Sequence, residues 1–136
     1  MKNYFYIMIN TFKKKSLNRI LQEIYAKKQI ASGFVVEFGA ESGSTKNFTN
    51  FIQFKDVLKT TYCDKFPKHN ETKEEDLEEK LTLLDNSQDN IIIFNVLEHV
   101  FDTKNAFLEI NRCLKSNTGT IIGSTPFMHR VHGAPY

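Results

Sequence analysis

Phe34-Val35-Val36-Glu37-Phe38-Gly39-Ala40-Glu41-Ser42-Gly43-Ser44 is the stretch that decides the fold. Four apolar residues, Phe34, Val35, Val36 and Phe38, surround Glu37 and run into Gly39, as in a buried strand that delivers its end to a glycine turn. Glycine takes positive φ in such a turn and lets a ligand approach the main chain with no Cβ in the way. Beyond it, Phe48, Phe51 and Ile52 fall at i, i+3 and i+4, which predicts a short helix over Ser44 to Phe54. Strand, glycine turn and helix form a nucleotide-site geometry, and an ordinary buried strand with a glycine turn is the competing reading. A dinucleotide fingerprint GxGxxG meets Glu41 and Ser44 at its second and third glycine positions. A phosphate loop GxxxxGK[ST] fails, because Gly43 comes one residue early and no lysine follows it.

The chain of 136 residues is one domain by size. Hydrophobic residues at 40% and charged residues at 25% exclude a disordered or fibrous class. A net charge of +2 selects no partner, and nothing points to nucleic acid. The distribution of charge is more telling. Residues 1–31 hold seven Lys and Arg against Glu23 alone, and residues 71–79 hold six acids against Lys73, poles that attract each other or a partner. Cys63 and Cys113 lack CxxC spacing, which argues against a zinc or redox motif and fits reduced thiols in a cytosolic protein. The apolar N-terminal run precedes its basic cluster, the reverse of a signal peptide, and no run reaches the 18 or so apolar residues of a membrane span. A cytoplasmic location is the expectation.

Ahead of the first strand, Leu17, Ile20, Leu21, Ile24 and Tyr25 trace one helical face, with Ser16 as N-cap and Gly33 at the C-terminal turn. That face packs on the sheet or over the ligand site; a membrane-surface or partner-binding helix is the alternative, given Lys13, Lys14 and Lys15. After the glycine turn, Val57 to Cys63 reads as a strand ending at Asp64. A carboxylate there, about 20 residues beyond the glycine turn, is where ribose hydroxyls are held; a surface-turn acid before Pro67 is the other reading. Residues 65–90 read as a loop with a helical turn or short edge strand. Ile91 to Phe94 is apolar on both faces, as a central parallel strand requires, with Asn95 at its carboxyl end, where open α/β sheets bind ligands. Asp102 or Thr103 caps a helix lined by Ala106, Phe107, Ile110, Cys113 and Leu114, and Thr120 to Thr125 forms the next strand, stopped by Pro126. The alternation predicts a three-layer α/β sandwich with a parallel sheet in the order 3-2-1-4-5. Its two middle strands, through Val35 and Ile92, lie adjacent.

Leu97-Glu98-His99, the segment Arg112, Leu114 and Lys115 closing a helix, the turn at Gly119 and the strand ending Thr125-Pro126 resemble the class I S-adenosylmethionine-dependent methyltransferases, specifically the methyltransferase type 11 group. Glu37, Gly39 and Gly43 are similar to the group's first motif, ExGxGxG, with Glu41 in place of the middle glycine. The resemblance covers residues 34–136. It implies a Rossmann-like methyltransferase fold and S-adenosyl-L-methionine as cofactor. Residues 1–32 then form an N-terminal segment with its amphipathic helix, and 33–136 a partial cofactor-binding domain.

By the same resemblance Glu37, Gly39, Ala40 and Gly43 line the methionine end of the cofactor, Asp64 the ribose, Asp76 the adenine, and Asn95 and Val96 the sulfonium. Glu98 and His99 stand at the mouth, His99 as candidate base or, with Glu98, as a loop anchor. His129 and His132 have HxxH spacing with no third ligand, so no metal is expected. Glu41 adds bulk and charge where the cofactor's amino-acid moiety lies, so Glu41→Gly is expected to tighten binding. Relatives continue past the fifth strand, and the expectation is a C-terminally truncated methyltransferase lacking the last two strands, with little activity alone and an open fifth strand suited to homodimerisation. The acceptor is open among small metabolites, glycans, lipid precursors and proteins. A non-catalytic cofactor-binding or partner-binding remnant is the alternative, favoured by Glu41; an NAD-dependent oxidoreductase is disfavoured by the glycine spacing.

Overall fold

The computed structural model describes residues 2–126, and the pair His129 and His132 lies outside the described residues. The element order is α1 (Lys2–Phe12), α2 (Leu17–Ala26), β1 (Ile30–Phe38), β2 (Gln53–Asp64), β3 (Lys73–Glu74), β4 (Asn90–Phe94), α3 (Thr103–Cys113) and β5 (Thr120–Ser124). The strands form one sheet in the order β3-β2-β1-β4-β5 with parallel pairings, the predicted order. Val35 pairs with Asn90 and Glu37 with Ile92, so the two central strands are neighbours. Ile30 to Ser32, at the end of the predicted N-terminal segment, belong to the sheet.

Side-chain alternation in the strands builds a core on each face of the sheet. Val36, Phe38, Ile91 and Ile93 pack with Ala106, Ile110 and Cys113 of α3. On the other face Val35, Ile92, Phe94 and Ile122 pack with Ala26, Phe48 and Ile52. β4 is buried along its whole length because both of its faces are covered, which is why Ile91 to Phe94 reads as an unbroken apolar run after Asn90. Asp102 caps α3 by accepting from the Asn105 N–H at 2.9 Å. At its other end Arg112 donates to the Leu81 and Leu83 carbonyls at 2.9 and 3.0 Å, tying down the segment before β4. β3 is so short that β2 is bonded on its outer side at Cys63 and Asp64 alone among the described residues.

Three local expectations are corrected. Gly33 has the anticipated positive φ of +64°, but it sits at a register shift inside β1, not at a helix end. A Cβ there would lie 2.2 Å from Asp89 Oδ2, and that carboxylate accepts from the Phe34 N–H at 2.8 Å and from Lys115 Nζ at 2.9 Å. α2 ends instead at Lys27, whose N–H bonds Glu23 O.

The helix predicted over Ser44 to Phe54 is reduced to a single 3₁₀ turn at Phe48–Asn50, and β2 begins at Gln53. The Glu37 carboxylate takes the Phe48 and Thr49 N–H groups at 2.6 and 2.9 Å. Side chains of Asn47 and Asn50 reach the carbonyls of Glu41 and Ser44. Side-chain bonding of this kind competes with helix propagation.

The third correction concerns the face α2 buries. Ile20, Gln22, Glu23 and Ala26 are its buried residues, while Leu17, Leu21 and Tyr25 of the predicted face are 59%, 51% and 42% exposed. Glu23 turns the helix inward: its carboxylate takes Lys15 Nζ at 2.8 Å, Arg19 Nε at 3.0 Å and the Tyr6 hydroxyl at 2.6 Å. A buried carboxylate needs such partners, and satisfying them outweighs the burial of three apolar side chains.

Candidate functional site

At the carboxyl edge of the sheet, the ends of β1, β2 and β4 and the loops after them enclose a cavity of about 540 Å³. This volume is within the range of small-molecule sites. Six sequence candidates line it: Gly39, Asp64, Asp76, Asn95, Val96 and His99. Gly39 closes β1 at φ +69°, and a Cβ there would lie 2.4 Å from Val96 Cγ2. Val96 packs directly against the main chain at position 39 because that position has no side chain. Asp64 ends β2; one of its oxygens accepts from the Phe66 N–H at 2.9 Å, which fixes the carboxylate at the cavity wall.

Asp76 pairs with Lys65 at 2.8 Å and takes the Glu78 N–H at 3.0 Å. Burial pushes its carboxyl up, but the Lys65 ammonium outweighs that and holds it below the ordinary aspartate value. Asn95, at positive φ just past β4, donates to Gln22 Oε1 at 3.1 Å and accepts from Gln22 Nε2 at 2.6 Å. The same Gln22 nitrogen lies 2.9 Å from Ser124 Oγ, so one glutamine joins α2 to the ends of β4 and β5.

Three candidates stand elsewhere. Glu37 is 3% exposed and holds the turn at 48–49, with burial pushing its carboxyl above the ordinary value despite the Thr49 and Phe48 N–H groups. Ala40 is buried, its N–H on Cys63 O at 3.2 Å. Gly43, at φ +73°, has open space where a Cβ would stand.

Residues absent from the sequence reading also line the cavity, among them Lys65, Phe66, Glu78 and Phe101. They come from irregular loops, where no periodicity betrays position. Gln22 carries a signal in hindsight: it is 6% exposed, a polar residue on the helix face that touches the sheet.

Glu41 lies at the wall rather than across the floor. It accepts from the Lys68 N–H at 2.8 Å and the Thr72 hydroxyl at 2.9 Å, and so tethers residues 66–72. Glu41→Gly is therefore expected to release that loop, seen as faster tryptic cleavage after Lys65 and Lys68 than in the parent chain. Equal cleavage rates would show that the loop is held without it. A smaller cavity of about 230 Å³ adjoins the first and shares Asn95 and His99 with it; Arg19, Gln22 and Glu98 are also in its lining. Among the described residues no cluster of His, Cys, Asp and Glu could hold a metal ion. Both cysteines are buried, and burial pushes the Cys63 thiol up to about 12, far from a reactive thiolate.

The comparisons agree with this geometry. A family-wide sequence profile described as "Methyltransferase domain" matches residues 36–122. Among solved structures the chain is similar to a protein of Methanococcus maripaludis that carries a provisional description as an S-adenosyl-L-methionine-dependent methyltransferase. The TM-score is 0.54 at 22% sequence identity, over 77% of this chain and 54% of that one. At that identity the likeness speaks for the fold, and this chain spans about half the length of the structure it matches. No curated protein matches.

Proposed function

Because the chain belongs to the methyltransferase-domain family, we propose that it binds S-adenosyl-L-methionine in the larger cavity and transfers its methyl group to an acceptor seated beside it. The observation that carries this reading is the convergence of Gly39, Asp64 and Asn95, from the ends of three neighbouring strands, on one cavity. The donor set fits the cofactor. Gly39 supplies a main chain without a Cβ, Asp64 a fixed carboxylate for two vicinal hydroxyls, and Asp76 with Leu77 a polar and an apolar wall for a base. Asn95 and Val96 border the sulfonium in this proposal. Ala40, Gly43 and Glu37 contribute by shaping the turn, the first two through the main chain and Glu37 from behind.

When bound, the cofactor supplies a methyl group already activated by the sulfonium. What remains for the protein is to orient the acceptor in line and exclude water. Asn95, held by Gln22, fixes the floor common to the two cavities. The acceptor occupies the smaller cavity, and His99, shared by both, takes its proton where the nucleophile is weakly acidic. Its class remains a choice among small metabolites, glycans and lipid precursors. Among the described residues β5 is the outermost strand and pairs only with β4, and a homodimer through that edge is part of this proposal.

Calorimetric titration with S-adenosyl-L-methionine tests the cofactor half. Asp64→Ala is expected to weaken binding about tenfold or more, because charge-assisted hydrogen bonds contribute roughly 1.5–3 kcal/mol, with only a small drop in the thermal midpoint from loss of the exposed Phe66 N–H bond. Unchanged affinity in that variant would sink the assignment. The tether at Glu41 reverses the earlier expectation for Glu41→Gly: with the loop wall released, its binding is expected to be weaker. The second reading, a non-catalytic cofactor-binding module, is favoured by the Glu41 carboxylate at the cavity wall. Binding without label transfer from a methyl-labelled cofactor to any acceptor pool would select it.

A further inference from the structure

Each of the two N-terminal helices leaves a row of large apolar side chains exposed, although α2 also buries Ile20 and Ala26. α1 buries Asn10 and half-buries Tyr6 and Ile7, while Tyr4, Phe5, Met8, Ile9 and Phe12 are 81%, 63%, 50%, 37% and 83% exposed. Those five recur at i, i+1, i+4, i+5 and i+8, one continuous helical stripe. α2 does the same with Leu17, Leu21 and Tyr25, four residues apart and all exposed, because Glu23 and Gln22 face inward. An outward apolar stripe on two consecutive helices is unlike the scattered exposed hydrophobes of an ordinary surface.

The charge around the stripe has one sign. Glu23 is the sole acid of residues 1–31 and is 1% exposed, locked to Lys15 and Arg19. Lys13 and Lys14, at the corner between the helices, are exposed, and among the described residues neither has an ion-pair partner. Lys27 and Lys28 at the far end of α2 are exposed as well, Lys27 lying 3.5 Å from the centre of the Tyr6 ring. Exposed charge beside the stripe is thus cationic, and the stripe mixes aromatic and aliphatic side chains.

We propose that this α1–α2 face lies flat on a membrane surface carrying anionic lipid headgroups. The apolar and aromatic stripe enters the headgroup boundary and Lys13, Lys14 and Lys28 meet the lipid charge. Helices of 11 and 10 residues extend about 15 Å each, and no described helix is long and apolar enough to cross a bilayer. An interfacial helix needs only the apolar face and the flanking cations present here. Cationic charge with no exposed acid selects anionic over neutral lipid, and over a second copy of the same cationic face.

The test is cosedimentation of the whole chain with phosphatidylcholine vesicles, with and without phosphatidylglycerol. Binding is expected to the mixed vesicles alone and to decline with salt. Lys13→Glu with Lys14→Glu should weaken it about tenfold or more, and Phe5→Gln with Phe12→Gln should abolish it. Both pairs are exposed, so circular dichroism should match the parent. No binding to mixed vesicles, equal binding to neutral ones, or binding unaffected by either pair would overturn the proposal. So would a dimer in analytical ultracentrifugation that Phe5→Gln with Phe12→Gln dissociates while vesicle binding is absent, since the stripe would then belong to a second copy.

Discussion

Replacing Glu23 with alanine is expected to lower the unfolding free energy by roughly 1.5–3 kcal/mol, the usual range for hydrogen bonds to a charged group, because Lys15 and Arg19 are partly exposed and are solvated once the carboxylate is gone. Three groups lose their common acceptor at once: the Lys15 ammonium, the Arg19 guanidinium and the Tyr6 hydroxyl. The Tyr6 hydroxyl also ties α1 to α2 through this carboxylate, so α1 is expected to detach first. Urea unfolding followed by helical ellipticity reads both effects.

The pH dependence has a definite sign. Burial alone would raise the Glu23 carboxyl, but hydrogen bonds from Lys15, Tyr6 and Arg19 outweigh it and hold the folded value below the ordinary 4.5. The unfolded chain therefore binds the proton more readily. The contribution of Glu23 is present above 4.5 and is lost as pH falls through the lower folded value. The parent should lose stability as pH falls from 4.5 through that lower value, and the alanine variant should lose less over the same window. Parallel curves would contradict the assignment.

The second large effect is expected at Glu37. Glu37→Ala leaves the Phe48 and Thr49 N–H groups without their acceptor beneath the sheet edge. Unsatisfied buried donors cost roughly 1–3 kcal/mol each, so a loss of about 3 kcal/mol or more is expected from the denaturation midpoint. Here the linkage runs the other way. Burial raises the folded value above 4.5, so the folded chain holds the proton more tightly. Ionisation then works against folding as pH rises from 4.5 through the raised value. Relative to Glu37→Gln, which does not titrate, the parent should be most stable in mild acid and lose that advantage toward neutral pH. A difference independent of pH would refute the raised carboxyl.

The layered sheet was legible because its strands differ in kind. Ile91 to Phe94 is apolar at every position, which suits a strand covered on both faces, and the caps at Asp102 and the last turn of α3 stand in plain sequence. Gly39, Asp64 and Asn95 were legible because strand ends in an open α/β sheet deliver their residues to one edge. The failures share a cause: a side chain that satisfies a distant polar group. Glu37 captured two N–H groups that a helix over Ser44 to Phe54 would have used. Glu23 drew three partners inward and rotated the buried face of α2, keeping Ile20 inside while Leu17, Leu21 and Tyr25 came to the surface. Asp89 made Gly33 a bulge. None of these partners is near in sequence to the group it satisfies, except Arg19 to Glu23, so no local pattern carries them.

The bare turn between β1 and β2 also bears on how the chain assembles. Pairing β1 with β2 closes residues 39–52, whereas pairing β1 with β4 closes residues 39–89. By loop-closure entropy the longer closure is the harder by about 1 kcal/mol, which favours β1–β2 as the first parallel pair formed. The carboxylate of Glu37 then acts while that pair is forming, because it anchors the turn that joins the two strands. Stability lost in Glu37→Ala is accordingly expected in a slower refolding rate in stopped-flow experiments, with unfolding changed little. The polar residue at the centre of an apolar strand is, on this reading, part of the folding nucleus.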